Sequence, residues 1–130
     1  MRILLDTNAF LRVLLCEDAV PRIAANAYRG AEAVYCSTVN YWEIALKLGR
    51  GGYRDLDVPE DWETVFPRAC ERQRIDFLPV QPAHCRAVQD LPYHHRDPFD
   101  RMLVAQAHLE SLSVMSSDEA LDDYGIHRIW

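Results

Sequence analysis

Short apolar runs recur along this chain, each followed by a stretch with helical periodicity, and that alternation constrains the fold more than any other feature. Ile3-Leu4-Leu5, Val34-Tyr35-Cys36 and Val114-Met115 contain no alternating polar residues, the mark of strands buried on both faces. Residues 77–80 and 127–130 read as two further strands. Helical patterns fill the intervals. A Leu-rich helix is expected over 9–15, and a second over 20–28 with Pro21 in its first turn and Gly30 as its stop. Ser37 and Thr38 offer capping hydroxyls to a helix over 39–48, which Gly49 and Gly51-Gly52 end. Pro59 opens a segment to residue 72, kinked or divided at Pro67. Pro82 begins a helix to residue 90, and Asp97-Pro98 begins a long one to residue 111, with Asp97 as N-cap. A short helix over 118–123 is the last.

Strands alternating with helices predict right-handed βαβ units, hence an α/β fold with a parallel sheet covered by helices on both faces. Two domains would leave about 65 residues each, near the lower limit for independent folding, so one domain over 1–130 is expected. No window approaches the roughly 18 to 20 consecutive apolar residues that span a bilayer. Asp6 interrupts the first apolar run too early for a signal peptide. The four cysteines include no C-x-x-C pair, which predicts free, mostly buried thiols in a reducing, cytoplasmic compartment.

In parallel α/β sheets the working site lies beyond the carboxyl ends of the strands. Four carboxylates map there. Asp6 follows the first strand directly, and Asp118 follows the strand at 114–115. Asp100 falls in the first turn of the helix opened by Asp97-Pro98. Glu43 lies one turn into the helix after the second strand; at about 100° per residue it is about 40° from Val39 and 60° from Leu46, at the border of the apolar face. Carboxylates that converge without cationic partners raise one another's pKa, and a divalent cation resolves the conflict. Oxygen ligands suit Mg²⁺ or Mn²⁺, which can activate water and stabilise the leaving oxygen of a phosphodiester.

Each acid also has a plain structural reading. Asp6, Asp97 and Asp118 can cap the helices that follow them, Asp100 can favour a helix N-terminus, and Glu43 can pair with Lys47 at i,i+4. The pair His94-His95 ahead of Asp97 could suggest a metal site, but a loop capped by Asp97-Pro98 explains it as well. Trp42, Phe10, Leu11, Leu14 and Leu15 read as core or subunit interface. Arg96, Arg101, Lys47, Arg50 and Arg54 lie near the acids in sequence and are the candidates for phosphate contacts. No Walker or Rossmann phosphate loop and no G-x-S-x-G elbow is present.

Taken together, Leu4-Leu5-Asp6-Thr7-Asn8, Trp42-Glu43-Ile44-Ala45, His95-Arg96-Asp97-Pro98-Phe99-Asp100-Arg101 and Ser116-Ser117-Asp118 resemble, in order and spacing, the PIN-domain nucleases, and more narrowly the VapC-type toxins of bacterial toxin–antitoxin pairs. The resemblance covers essentially the whole chain. It implies a three-layer sandwich in which a parallel five-stranded sheet lies between helices. It further implies a Mg²⁺- or Mn²⁺-dependent endoribonuclease, neutralised by a cognate antitoxin and assembled as a homodimer or toxin–antitoxin hetero-oligomer. By position, Asp6, Glu43, Asp100 and Asp118 match the metal-binding acids. Asn8 and Ser116 match polar positions that orient them, Ser116 standing where Thr is more usual. Asp97 belongs to the same block, as ligand or as cap.

Two other enzyme classes with acidic strand ends fit less well. Haloacid-dehalogenase-type phosphatases need a second Asp two residues after the first, where this chain has Asn8; phospho-receiver domains need a Lys after a late strand, and the only Lys is Lys47. A catalytically silent, partner-binding PIN module is the remaining alternative. The net charge of −6, with 20 acidic against 14 basic residues, would by itself argue against a phosphate-backbone partner. With four of those negative charges at one metal site, it does not.

Overall fold

In the computed structural model, which describes residues 1–130, the strands are β1 (Arg2–Leu5), β2 (Ala33–Ser37), β3 (Ile75–Leu78), β4 (Ser113–Met115) and β5 (Arg128–Ile129). All pair in parallel in one sheet of order β3-β2-β1-β4-β5. The strand order reverses at β1, so the crevice between β1 and β4, at their carboxyl ends, is the switch point where α/β sheets hold ligands. The six α-helices are α1 (Thr7–Leu15), α2 (Arg22–Gly30), α3 (Thr38–Leu48), α4 (Trp62–Gln73), α5 (Pro82–Asp90) and α6 (Pro98–Glu110).

The alternation of β1 divides the core. Ile3 and Leu5 face one side, with Phe10 and Leu11 of α1 and Phe66 and Cys70 of α4. Leu4 faces the other, with Leu103, Val104 and Ala107 of α6. A one-residue slip of β1 would exchange the two sets, so burial on both faces fixes the register. The expected α/β sandwich is thus the observed one, with helices on both faces of the parallel sheet.

Several boundaries differ. α1 starts two residues early, capped by Asp6; α2 runs Arg22–Gly30, so Pro21 is its N-cap and Gly30 its last residue; β5 covers only Arg128–Ile129. α4 begins at Trp62, not at Pro59, because Pro59 to Asp61 form a turn in which Trp62 N–H donates to the Pro59 carbonyl and Asp61 becomes the residue before the helix. Pro67 neither divides nor ends α4; it lies exposed, where water can serve the carbonyl it leaves without a partner. β3 covers Ile75–Leu78, two residues earlier than expected, because Arg74 takes a left-handed conformation (φ 56°) that turns the chain straight from α4 into the sheet. Pro79, lacking an N–H, then follows the last paired residue. The segment expected as a helix over 118–123 is a 3₁₀ helix, Glu119–Tyr124.

All four thiols are free; Cys36 and Cys70 are buried, but Cys16 and Cys85 are exposed, so half and not most are enclosed. Trp42 is 59% exposed, which removes it from the core, whereas Phe10 and Leu11 are fully buried. No helix is long and apolar enough to cross a membrane.

Candidate active site

Asp6 is the hinge between β1 and α1. Its backbone N–H donates to the Met115 carbonyl at 3.0 Å, which ties it to β4. Its Oδ1 accepts from the Ala9 N–H at 2.7 Å, capping α1. The residue is only 6% exposed. Burial pushes its carboxyl up; the Ser116 hydroxyl and the Ala9 N–H pull it back, and the Asp118 charge pushes it up again.

Glu43 is aimed at the same place by a short chain of hydrogen bonds. Ser37 and Asn40 form a capping box at the start of α3, Ser37 N–H donating to Asn40 Oδ1 at 2.7 Å. The Asn40 amide then donates to the Leu5 carbonyl at 3.1 Å and to the Thr7 hydroxyl at 3.2 Å. Thr7 in turn donates to Glu43 Oε1. Two helix starts and a strand end are thereby joined beneath one carboxylate. Burial raises Glu43 most, with Asp97 and Asp6 adding to it and Thr7 and Lys47 opposing.

Asp97 caps α6, its Oδ1 accepting from Phe99 N–H at 2.8 Å and Asp100 N–H at 3.3 Å. Asp100 stands three residues further on and is pushed up to about 7, by burial first and then by the charges of Asp97, Asp6 and Glu43, with His95 opposing. Asp118 follows β4. Its N–H donates to Ser116 Oγ at 3.0 Å, and its Oδ1 accepts from Ala120 N–H at 3.0 Å. Burial would raise Asp118, but His95, Ala120 N–H and Arg128 outweigh it and hold the carboxyl below the usual range.

His95 completes the cluster. Its Nε2 lies 2.8 Å from Asp118 Oδ2 and 3.3 Å from Asp100 Oδ2. Single donor atoms of His95, Asp100 and Asp118 all lie within 4.8 Å of one another. The acidic neighbours, Asp118 foremost, raise the ring's pKa. None of Asp6, Glu43 and Asp100 forms an ion pair with a Lys or Arg. Such a donor set, rich in carboxylate oxygen and short of positive charge, fits a hard divalent cation.

A family model for the PIN domain matches residues 3–126. The chain belongs to the PIN domain family. Among solved structures, this PIN domain is similar to VapBC2 from Rickettsia felis bound to a DNA fragment from its promoter, with TM-score 0.66 and 10% identity, covering 98% of this chain and 97% of that one. It is similar to VapBC-1 from nontypeable Haemophilus influenzae, with TM-score 0.66 and 16% identity over 98% and 96% of the two chains. FitAcB from Neisseria gonorrhoeae gives TM-score 0.59 and 21% identity over 97% and 95%. At such identities the likeness establishes the fold. No curated protein matches by sequence.

Within the PIN domain, the residues singled out from sequence fall into three groups. Ser116 bonds both Asp6 and Asp118, Asp100 lies beside Asp118, and Asp6, Glu43 and Asp97 are near enough to raise Asp100, so these residues gather at the switch point with Glu43 and Asp97 at its edge. Lys47 and Arg50 share a depression with Trp42, Glu43, Asp97 and Phe99 beside it, while Asn8 and Arg54 line an adjoining one with Arg12. The i,i+4 pair of Glu43 and Lys47 does not form; the Lys47 ammonium sits over the Tyr53 ring, 4.7 Å from its centroid. Arg96 is exposed. Asn8 is exposed and makes no hydrogen bond to the acids, and Thr7 does the orienting expected of it. Arg101 is turned inward and only 8% exposed, its guanidinium taken up by main-chain carbonyls, so it is withdrawn as a phosphate contact. Sequence reasoning set His95 aside as part of a capped loop and passed over Thr7 and Asn40. His95 and Thr7 sit inside the motifs that carried the family resemblance, which was the available signal.

The like-charge crowding has a measurable consequence. Asp100 holds its proton up to about 7 in the folded chain against 3.8 as its ordinary value. Between those values the folded state binds more protons, so this group's contribution to stability falls as pH rises through the window. In EDTA, Asp100→Asn should therefore match wild type in Tm near pH 4 and exceed it increasingly towards pH 7. A Tm difference that stays flat with pH would overturn the crowding account.

Proposed function

We propose that this PIN domain is a metal-dependent endoribonuclease of the VapC toxin type, hydrolysing RNA phosphodiester bonds under the control of a cognate antitoxin. The observation that carries the reading is the gathering of Asp6, Asp100 and Asp118 at the switch point, with Glu43 at its edge, where Asp6, Glu43 and Asp100 have no Lys or Arg ion pair. Bound Mg²⁺ or Mn²⁺ would supply the positive charge and the activated water that phosphodiester hydrolysis needs. Asp6, Asp100 and Asp118 are the residues to hold it. Glu43, fixed through Oε1 by Thr7, keeps Oε2 available to orient a water or take up its proton, a role that its burial-raised pKa suits. Lys47 and Arg50, which line the depression beside Glu43, would steady flanking phosphates.

The antitoxin part of the reading draws on the solved VapBC and FitAcB structures whose fold this chain shares. A basic antitoxin side chain entering the acidic pocket would satisfy the same uncompensated charge that the metal does. The free thiols agree with a reducing cytoplasm.

The test is incubation of the purified chain with structured RNA and Mn²⁺, with EDTA as control. Cleavage that EDTA stops, leaving 3′-hydroxyl and 5′-phosphate ends, is the expected result. Failure to cut any RNA would favour a silent partner-binding module.

A further inference from the structure

We propose that His95 is a positioning residue for this acidic site: its ring Nε2–H holds Asp118, beside Asp100, in the orientation that receives a divalent ion, and the ring is not itself a ligand. The inference rests on the metal-dependent reading above and concerns a residue which that reading leaves without a role.

The hydrogen bonding of the ring decides between donor and ligand. The Asp97 backbone N–H lies 3.0 Å from His95 Nδ1. A backbone N–H can only donate, so Nδ1 presents its lone pair and the ring proton sits on Nε2. That proton faces Asp118 Oδ2 at 2.8 Å, with Asp100 Oδ2 at 3.3 Å. Ligation through Nε2 would require the proton to move to Nδ1, where it would confront the Asp97 N–H. With Nδ1 occupied by the Asp97 N–H, the ring that donates through Nε2 is the neutral tautomer.

The ring is held from behind as well. The main-chain N–H groups of His94 and His95 both donate to the Tyr124 hydroxyl, at 3.2 and 2.9 Å. Tyr124 is buried and its hydroxyl also receives Arg101 Nη1 at 3.1 Å. His95 is thus fixed by a buried scaffold, and Asp118 is fixed at both oxygens, by Ala120 N–H on Oδ1 and by His95 on Oδ2. Each oxygen that accepts one hydrogen bond keeps a lone pair for a metal. Partners of this kind behind metal ligands typically change affinity by about 10–100-fold when removed.

The experiment measures Mn²⁺ binding to the full chain by EPR, for wild type, His95→Ala and His95→Gln, with circular dichroism as the check on folding. His95→Ala should weaken binding about 10–100-fold. His95→Gln, whose amide N–H reaches the place of Nε2–H, should restore most of it. Pulsed EPR of Mn²⁺-loaded wild type should show no imidazole nitrogen coupled to the metal, a readout that needs no variant. Unchanged or tighter binding in His95→Ala, failure of Gln to rescue, or a strong nitrogen coupling each overturns the proposal. Wild type that binds no Mn²⁺ would instead remove the metal-dependent function, and this inference with it.

Discussion

Asp6→Asn is expected to lower RNA cleavage by about 10³-fold or more while leaving the metal-free fold at least as stable as wild type. The loss follows from removing one of the negative charges that hold the ion; charge stabilisation by a catalytic metal is worth several kcal/mol, and roughly 4 kcal/mol corresponds to about three orders of magnitude in rate. The stability follows from what Asn retains. Its amide oxygen can accept the Ala9 N–H that Asp6 Oδ1 now takes, and Asn is as good an N-cap as Asp. The main-chain bond to the Met115 carbonyl is untouched. What disappears is a carboxylate that is 6% exposed and has no Lys or Arg partner, a group whose ionised form burial penalises. The rise in Tm that Mn²⁺ gives wild type should shrink in the variant. Asp6→Ala, by contrast, also loses the cap and should be destabilised by about 1 kcal/mol. Cleavage by Asp6→Asn at the wild-type rate with added Mg²⁺ or Mn²⁺ would sink the mechanism.

That much of the site could be read from sequence because its acids are announced by local signals. Asp6 and Asp118 sit just past apolar strand runs, and Asp100 sits in a turn opened by Asp97-Pro98. Strand ends and helix caps are spelled within four or five residues, and the sheet's parallel character follows from runs with no polar alternation. What was not legible depends on residues far apart. The order β3-β2-β1-β4-β5 turns on pairings between distant segments. The contrast between Thr7 and Asn8 turns on helix phase: one step of about 100° carries the side chain from Asn40 and Glu43 to an exposed depression. His95 depends on a loop whose position is set by Tyr124, 29 residues away. The boundaries of α4 and β3 depended on a turn at Pro59 and a left-handed Arg74, neither of which periodicity records.

Arg101 is where local reading and tertiary structure part most sharply, and it supplies the largest expected effect on stability. By sequence it stands next to Asp100 and looks like a phosphate contact. In the fold, its Nη1 donates to the Pro92 carbonyl at 2.8 Å and to the Tyr124 hydroxyl at 3.1 Å, and its Nη2 to the Val88 carbonyl at 3.2 Å. The guanidinium lies over the Tyr93 ring, 4.5 Å from the centroid. Val88 belongs to the last turn of α5; its carbonyl accepts the Leu91 N–H as well as Arg101, and a cation there interacts favourably with the helix dipole. Arg101 therefore ties the end of α5 and the loop carrying His95 to α6. Hydrogen bonds from charged groups are worth about 1.5–3 kcal/mol each, and Arg101→Ala removes several of them at once. Arg101→Ala should destabilise the chain by about 3 kcal/mol or more, lowering Tm by about 10 °C. Arg101→Lys keeps the charge but not the planar fork, so it should recover only part. A phosphate contact behaves in the opposite way: Lys47→Ala or Arg50→Ala should leave Tm nearly unchanged while weakening RNA binding and flattening its salt dependence. If Arg101→Ala kept its Tm and instead flattened the salt dependence, the buried-anchor account would fail and the residue would return to the RNA-binding surface.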